Sequence, residues 1–242
     1  MSDGIYTALS GAVAMDRNLD VLGNNLANVS TPGFKSIKPS FEAVLAQTQG
    51  ADTVGGGPDA RRDVSISAMS TDLRQGALVQ TGNDLDVALE GEGFLSVDTP
   101  AGVRYTRRGT MSINAEGELS IGGQAVRAVG GGGIVVPEQA FITIEADGAV
   151  FADDVLVGQV EIMRFNNPAA VTPAGGGFYE GNGAVPDEET ELVQGFLEES
   201  NVNAVWGMTE LIRTTRVFEA TQKAIQTYKD MDQKLVSEIG RI

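Results

Sequence analysis

The amino-acid sequence predicts an α+β fold, in which long N- and C-terminal helices form a coiled-coil-like hairpin and carry an inserted antiparallel β domain. Apolar residues recur at alternating spacings of three and four near both ends of the chain, which is the period of a helix seam. The charges divide in the same way. Residues 1–46 carry three basic and four acidic side chains, and residues 200–242 carry six and five. The net charge of −16 therefore lies between residues 47 and 199, together with 25 of the 31 glycines.

The N-terminal helix is predicted from a seam that ends before a proline. Pro32 and Gly33 cannot continue the helix, because a proline lacks the backbone donor and disfavours helical conformation in the residue before it. We therefore expect the helix to end near Asn28, within a first segment of residues 1–33. The seam positions, spaced by 4, 3, 4, 3, 4 and 3 residues, are Ala8, Ala12, Met15, Leu19, Leu22, Leu26 and Val29.

The C-terminal helix is predicted from a second seam, in a segment of residues 200–242 that pairs with residues 1–33. Its positions are Ala204, Met208, Leu211, Thr215, Phe218, Gln222 and Ile225, followed with a shift of one residue by Tyr228, Met231, Leu235 and Ile239. Both seams carry small or polar residues where leucine or isoleucine would make a robust dimer. An intramolecular hairpin and a surface for assembly with other chains therefore stay equal alternatives. The expected packing residues are Ala8, Ala12, Met15, Leu19, Leu22, Leu26, Met208, Leu211, Phe218, Ile225 and Leu235.

The middle of the chain is predicted to be a β domain of residues 72–186. Short runs of alternating or β-branched residues, such as 93–97, 103–107 and 155–165, are separated by turn sequences such as Asp147-Gly148. Residues 34–71 are expected to form a connector from the first helix, and residues 187–199 are expected to form the returning connector. The chain would thus leave and re-enter the helical part through one neck.

The composition excludes most enzyme classes. The sequence contains no cysteine and no histidine, so it cannot form a disulfide, a thiolate nucleophile, a Ser-His-Asp triad or a His-ligated metal site. Its glycine clusters lack the Lys-Ser/Thr of a phosphate-binding loop, and its acidic runs lack the spacing of a calcium loop. We expect no catalytic residue, metal or cofactor. The net negative charge also disfavours binding to nucleic acid.

Two further features concern location and surface contacts. No run of 18 apolar residues is present, so no membrane insertion is expected, and no cleavable signal peptide is evident at the N-terminus. Arg104, Arg107 and Arg108 form a basic cluster in an acidic domain. This cluster could bind an acidic neighbour or protect an exposed strand edge from pairing.

Several motifs resemble one family in the order in which they occur. The sequence Asn24-Asn25-Leu26-Ala27-Asn28, followed by Thr31-Pro32-Gly33-Phe34-Lys35, resembles the signature of the bacterial flagellar axial proteins, the rod and hook family. Residues 75–94 and 105–109 are similar to central motifs of this family, and residues 198–203 and 216–220 are similar to its C-terminal motifs. The resemblance covers residues 4–38, 72–128 and 195–240.

The resemblance implies a structural subunit and not an enzyme. Such a subunit is exported by the flagellar type III export apparatus without a cleavable signal peptide, and it polymerises helically in the periplasmic rod of the basal body. The rod transmits torque to the hook. Its partners would be itself and other rod proteins, both proximal and distal. The length argues against the much longer hook proteins of the family. The C-terminal sequences of residues 218–227 and 238–241 resemble the proximal rod proteins most, with the distal rod proteins as the second choice.

An alternative from a different class is an acidic ligand-binding β domain with a helical dimerisation clasp. It would require a concave site with paired carboxylates, whose separation is set by tertiary structure and cannot be deduced from residue spacing.

Overall fold

The computed structural model describes residues 2–46, 61–137, 139–167 and 170–239 and divides the chain into two compact units. The terminal unit comprises Met1–Leu26, Lys38–Met69 and Ala204–Ile242, and the β unit comprises Ala27–Ile37 and Ser70–Asn203. Each unit is therefore built from segments that are far apart in the sequence.

The terminal unit contains the two helices of the described residues. Helix α1 spans Ser2–Ala27 and helix α2 spans Ala204–Ile239. A two-stranded sheet of β1 (Ile37–Ala46) and β2 (Arg61–Thr71) accompanies them. Helix α1 stops one residue before Asn28, where the N–H of Thr31 donates to the carbonyl of Asn28 and turns the chain into Pro32.

A nine-stranded sheet forms most of the β unit. Its strands are β5 (Phe94–Thr99), β6 (Gly102–Thr106), β7 (Met111–Ile113), β8 (Leu119–Ile121), β9 (Gln124–Val126), β13 (Ile162–Phe165), β14 (Thr172–Gly175), β15 (Phe178–Glu180) and β16 (Ala184–Pro186). Seven of them follow the order β14-β15-β6-β5-β9-β8-β7, while β13 pairs with both β5 and β16. These pairs are antiparallel.

Three smaller antiparallel sheets complete the β unit. The first contains β10 (Ile142–Ile144), β11 (Ala149–Ala152) and β12 (Val155–Gln159). The second pairs β4 (Val87–Glu90) with β17 (Glu191–Gln194), and the third pairs β3 (Leu78–Gln80) with β18 (Phe196–Glu198). Residues 187–199, predicted as a connector, thus contribute two strands that close the β unit.

The core of the β unit consists of apolar side chains from these sheets. The large apolar side chains of β4, β5, β8 and β9 that are completely buried in this core are Val87, Leu89, Leu95, Val97, Leu119, Ile121 and Val126. A second cluster contains Phe94, Phe165 and Tyr179, whose rings meet edge to face at centroid distances of 5.6 and 5.8 Å. Such edge-to-face pairs add a modest attraction to the burial of the rings.

The prediction of a long coiled-coil-like hairpin is wrong. The described residues form two helices and many short antiparallel strands, and a groove of about 590 Å³ lies open between α1 and α2. Met208 and Ile212 on α2 are 52% and 53% exposed. The physical reason is that the seams carry residues such as Ala8 and Gln222, which are too small or too polar to act as knobs in a continuous knobs-into-holes contact.

Candidate functional site

On α1, the predicted packing residues share one partly covered face. Ala12 and Leu22 are buried, and Leu9 and Val13, which lie beside this face, are about half exposed. The face therefore continues into an apolar strip that the described residues leave about half exposed. The remaining predicted residues, all partly buried, are Ala8, Met15, Leu19 and Leu26.

On α2, the covered face differs from the predicted seam at alternate positions. Leu211, Phe218 and Ile225 are partly buried, whereas Met208 is exposed. Gly207 and Thr214 are buried, while the predicted neighbour of Thr214, Thr215, is only partly buried. The side chain of Leu235 lies outside the described part of the structure. Positions 204, 207, 211, 214, 218, 221 and 225, at spacings of three and four, are covered, and Glu210 and Thr215 beside them are partly buried too.

The groove between the helices lies within the terminal unit. Leu9, Ala12 and Val13 line it from α1, and Phe218 and Ile225 line it from α2. Polar side chains continue the lining towards the end of α2, namely Gln222, Gln226, Lys229, Asp230 and Gln233, and Asp16 adds one from α1. The lining of the groove is therefore mixed, with Gln222 and Gln226 beside Phe218 and Ile225 and the charged Lys229 and Asp230 closer to the end of α2.

The first motif lies around the end of α1 and positions Lys35. The hydroxyl of Thr31 donates to Oδ1 of Asn28 at 3.3 Å, and the N–H of Phe34 donates to the carbonyl of Thr31 at 3.2 Å. These bonds hold the turn in which Pro32 and Phe34 are partly buried. Among the helical motif residues, Asn24 and Ala27 are exposed, Leu26 is partly buried and Asn25 is buried.

Glycines of two motifs permit close backbone approach in the β unit. Gly33 has a φ of +69°, and a Cβ there would lie 2.2 Å from the carbonyl oxygen of Arg107. A Cβ on Gly76 would lie 2.0 Å from the carbonyl oxygen of Glu199. Only glycine fits at such distances. The motif glycines therefore bring the chain segments at 33, 76, 107 and 199 into direct contact.

The same segments enclose a cluster of three buried charges, which we term the ion cluster: Lys35, Arg107 and Glu198. The Nζ atom of Lys35 lies 2.5 Å from Oε1 of Glu198, and Nη1 of Arg107 lies 3.1 Å from Oε2. No side chain of the three is more than 1% exposed. Glu198 therefore bonds to one cation through each of its carboxylate oxygens.

Backbone groups and an aromatic ring complete the ion cluster. The Nζ atom of Lys35 donates to the carbonyl of Arg74 at 2.9 Å, and the N–H of Gly76 donates to Oε1 of Glu198 at 2.8 Å. Arg107 donates to the carbonyl of Gly91 and lies 5.3 Å from the centre of the Phe94 ring. A buried ion pair is tolerated when its remaining donors and acceptors are bonded in this way.

Burial shifts the pKa values of two groups at this site. The loss of hydration and the nearby Arg107 lower the pKa of Lys35, while Glu198 opposes that shift. Burial raises the pKa of Tyr179 to about 12, and its hydroxyl accepts a hydrogen bond from the backbone N–H of Lys35 at 3.0 Å. The cause in both cases is that low-dielectric surroundings disfavour the charged form.

The side chain of Asn201 links its own segment to those of Ser36 and of Asp72 and Arg74, by hydrogen bonds to their backbone groups. Its Oδ1 accepts from the N–H of Ser36 at 2.7 Å, and its Nδ2 donates to the carbonyls of Asp72 at 2.7 Å and Arg74 at 3.0 Å. The N–H of Gly33 also donates to the carbonyl of Glu198 at 2.8 Å. The β unit thereby fixes the chain just before β1, just after β2 and just before α2.

Sequence reasoning did not identify the ion cluster. Arg107 was assigned to a basic surface cluster, but it is buried, and its partner Glu198 lies 91 residues away in the sequence. The available signal was that Lys35, Arg107 and Glu198 each occur in a motif of the resembled family. Residue spacing gave no indication that these motifs meet.

The described residues provide little for catalysis or membrane insertion. No three acidic side chains within them are grouped so that they could hold a metal ion. Within the same ranges, neither helix has the length and apolar character to span a membrane. What the geometry provides is contact surface on two helices and a charge cluster that holds the chain segments leading to them.

Three family models match the chain in sequence order. A model described as flagella basal body rod protein matches residues 5–35, and one described as flagellar hook protein FlgE/F/G D1 domain matches residues 88–152. A model described as flagellar basal body rod FlgEFG protein C-terminal matches residues 193–238. The three matches include all members of the ion cluster, and Lys35 is the last residue of the first match.

Curated relatives match over nearly the whole chain. The flagellar basal-body rod protein FlgF of Mesorhizobium japonicum is 34% identical over 99% of both chains. The FlgF protein of Caulobacter vibrioides is 30% identical over 100% of both chains. The flagellar basal-body rod protein FlgG of Borreliella burgdorferi is 33% identical over 96% of both chains.

Terminal helices with partly uncovered apolar faces, which precede and follow a β unit in the sequence, define a structural subunit made to assemble with others. The chain belongs to the family of flagellar basal-body rod proteins. It is a structural protein of the basal-body rod and not an enzyme, as the motifs predicted. This membership leaves no support for the alternative of a ligand-binding β domain with a dimerisation clasp.

Proposed function

We propose that this chain is a subunit of the proximal part of the flagellar rod, where it polymerises helically with copies of itself and with other rod proteins. Similarity to two FlgF proteins over 99% or more of both chains supports this position. A distal position is the alternative, because identity to a FlgG protein is 33% over 96% of both chains. In either position the subunit would help to transmit torque to the hook.

The open groove between α1 and α2 is the observation that carries the mode of assembly. Leu9 and Val13 are about half exposed beside it, and Phe218 and Ile225 form its opposite wall. A helix from a neighbouring rod subunit would cover these side chains and gain their burial. Because such a contact joins two different surfaces, it can be repeated without closing and so generates a helical tube.

The predicted packing residues have distinct roles in this proposal. Ala8 and Ala12 would allow a neighbouring helix to approach closely, since small side chains permit short distances between helix axes. Leu19, Leu22 and Leu26 would hold α1 in the subunit, while Met208 would contact a neighbour because it is exposed in the single chain. Each role follows from the burial of the residue.

We also propose that the subunit reaches the periplasmic rod through the flagellar type III export apparatus. The family resemblance supports this route. The lack of cysteine fits it as well, because a chain that enters the oxidising periplasm unfolded cannot then form incorrect disulfides. Deletion of an essential export component is expected to leave the chain in the cytoplasm, and its arrival in the periplasm of such a strain would contradict the route.

Ile225→Glu tests the assembly role. We expect cells with this variant to lose rod assembly and motility, because an ionised carboxylate in an apolar contact costs about 3 kcal/mol or more. Leu19→Glu is expected to abolish assembly and motility as well, because it would weaken the packing that holds α1 in the subunit. In the purified Ile225→Glu chain, the thermal unfolding transition of the β unit should stay unchanged, since Ile225 belongs to the terminal unit.

Lys223→Glu is the matched control, because Lys223 is exposed on the same helix and does not line the groove. Cells with this control should remain motile. Motile cells with Ile225→Glu would contradict the assembly role. The position within the rod is tested separately by labelling the chain in isolated basal bodies, where label at the hook end would assign it to the distal rod.

A further inference from the structure

The small sheet of β10, β11 and β12 carries apolar side chains on both faces. On its inner face, Ile142, Ile144, Val150 and Ala152 are buried in the core of the β unit. An antiparallel sheet with one covered face ordinarily presents alternating polar residues on the other. The residues on the outer face therefore require an explanation.

Three large apolar residues lie together on that outer face, and we term them the outer patch: Phe141, Phe151 and Leu156. The register places Phe151 of β11 directly opposite Leu156 of β12. Phe141 precedes β10 and lies opposite Asp153, to whose Oδ1 its N–H donates at 3.0 Å. Thr143 lies directly opposite Phe151, and residues two apart along a strand share a face, so Phe141 is on the same side of the sheet as Phe151.

The outer patch is open to solvent in the single chain. Phe141 is 77% exposed and Leu156 is 60% exposed, while Phe151 between them is partly buried. Single exposed apolar side chains are normal on protein surfaces, but a contiguous group of large ones is typical of a contact surface. The patch belongs entirely to the β unit and involves neither α1 nor α2.

The outer patch suits binding to a face of the sheet and not the addition of a strand to its edge. The side-chain amide of Gln194 already bonds to the edge of β10: the N–H of Ile144 donates to its Oε1 at 3.3 Å, and its Nε2 donates to the carbonyl of Ile142 at 2.8 Å. An added strand would need those same backbone groups. Strand addition at this β10 edge is therefore blocked, and the proposed contact is made through the side chains of the outer patch.

The surroundings of the outer patch are acidic. Residues 139–163 contain five acidic residues and no lysine or arginine. Glu145 and Asp147 are exposed at the β10–β11 turn, and Asp153 and Asp154 are exposed at the β11–β12 turn. The patch thus has an acidic turn at each end. A surface with opposite charge around an apolar centre would be complementary to it.

We propose that the outer patch is a docking surface for a protein other than this chain, whose contact surface carries an aliphatic or aromatic side chain surrounded by lysine or arginine. The same patch of a second copy would set acidic turns against acidic turns, which is unfavourable. Anionic lipid and nucleic acid would be repelled for the same reason. The proposal goes beyond the rod function, because it concerns a surface remote in sequence from the assembly helices.

Photo-crosslinking in motile cells tests this docking surface. A photoreactive phenylalanine analogue replaces Phe141 in the full chain, and in a control strain it replaces Val129, which is 59% exposed in the same unit but outside the sheet. We expect an adduct at position 141 that exceeds the one at position 129 by about tenfold or more. Mass spectrometry should assign it to a different protein, with the linked residue next to lysine or arginine.

Two added substitutions test the chemistry of the contact. Leu156→Glu and Glu145→Lys are each expected to reduce the adduct at position 141 by about fivefold or more, whereas Val129→Glu should leave it unchanged. Purified variants should melt within about 2 °C of the unaltered chain, since the substituted side chains are exposed. Motility of the same strains reports the rod function separately.

Four results would overturn the docking surface. They are an adduct only with this chain itself, an adduct only with lipid, equal adducts at positions 141 and 129, and an adduct that Glu145→Lys does not reduce. In a motile strain, any of these results would reject the docking surface and leave the rod function intact.

Discussion

At the scale of single residues, the ion cluster contains two cations and one anion in a water-excluded site. Glu198 bonds to Lys35 at 2.5 Å and to Arg107 at 3.1 Å, and all three side chains are buried. Removal of one partner from a buried pair leaves an uncompensated charge, which costs far more than removal of an exposed ion pair. Because the cluster is not symmetric in charge, loss of the anion and loss of one cation should differ in their effect.

Glu198→Gln is expected to destabilise the β unit by about 3 kcal/mol or more, because it leaves Lys35 and Arg107 buried without an anion. Lys35→Met should cost less, because Arg107 and Glu198 then remain as a neutral pair. Thermal or urea unfolding of the purified chain measures both effects.

Glu199→Gln is the matched control for this comparison, since Glu199 is the exposed neighbour of Glu198. It should change the free energy of unfolding by no more than about 0.5 kcal/mol. Equal or greater destabilisation by Lys35→Met would show that charge balance does not determine the stability of the cluster.

Tyr179 is expected to make the β unit sensitive to alkaline pH. Its pKa is raised to about 12 in the folded chain, above the ordinary tyrosine value of about 10. The folded state therefore retains a proton that the unfolded state loses, so this stabilisation is complete below pH 10 and is lost as the pH rises through 12. Two pKa units correspond to about 3 kcal/mol.

Tyr179→Phe tests this dependence through the slope of the unfolding free energy against pH. Between pH 10 and 12 the slope should be less negative in this variant than in the unaltered chain. The lowered pKa of Lys35 makes the unfolding free energy rise as the pH approaches 10.5, which is the opposite direction. Because Lys35 is present in both proteins, its contribution to the slope cancels in the comparison. Tyr228→Phe on α2 is the matched control. Parallel slopes for Tyr179→Phe and the unaltered chain would refute the assigned role of Tyr179.

At the scale of elements, the β unit is completed by two short strands, β17 and β18, that pair with strands about 100 residues earlier in the sequence. β17 pairs with β4 along four residues, and its Leu192, opposite Leu89, is buried in the core. β18 pairs with β3 and contributes Glu198 to the ion cluster. These short strands lie in an acidic, turn-rich segment that was predicted as a connector, because the few apolar residues of a short strand give no period of their own.

A fragment of residues 72–186 is therefore expected not to fold cooperatively, because it lacks β17, β18 and Lys35. A fragment of residues 27–203 contains all the segments of the β unit and serves as the matched comparison. The longer fragment should show a single sigmoidal thermal transition by near-ultraviolet circular dichroism, and the shorter one should show none. A cooperative transition of the 72–186 fragment would mean that β17 and β18 are dispensable for the core.

The helices illustrate a second difference between pattern and structure. The predicted seam on α2 included Leu211, Phe218 and Ile225, which are partly covered, and also Met208, which is exposed. A spacing of three and four identifies a helical face within about one residue on either side. It does not reveal whether a partner covers that face, and Gly207 and Thr214 gave no hydrophobic signal.

At the scale of the whole molecule, charge is divided between the terminal segments and the middle. Residues 47–199 hold the net charge of −16, and both terminal segments are nearly neutral. Neutral helices can approach those of other copies without repulsion, whereas acidic β units repel one another. This division suits a polymer held together by helices, with β units that do not associate through like-charged surfaces.

The sequence by itself determined the family, the structural role, the end of α1 near Asn28 and the β-rich middle of the chain. These conclusions depend on local information: the helical period, the turn residues Pro32 and Gly33, and contiguous motifs. Tertiary structure alone decided that Lys35, Arg107 and Glu198 meet, that α1 and α2 leave a groove open, and that Phe141 and Leu156 face solvent. The reason is physical, because contacts between residues more than 90 positions apart depend on the packing of whole sheets, which no local spacing encodes.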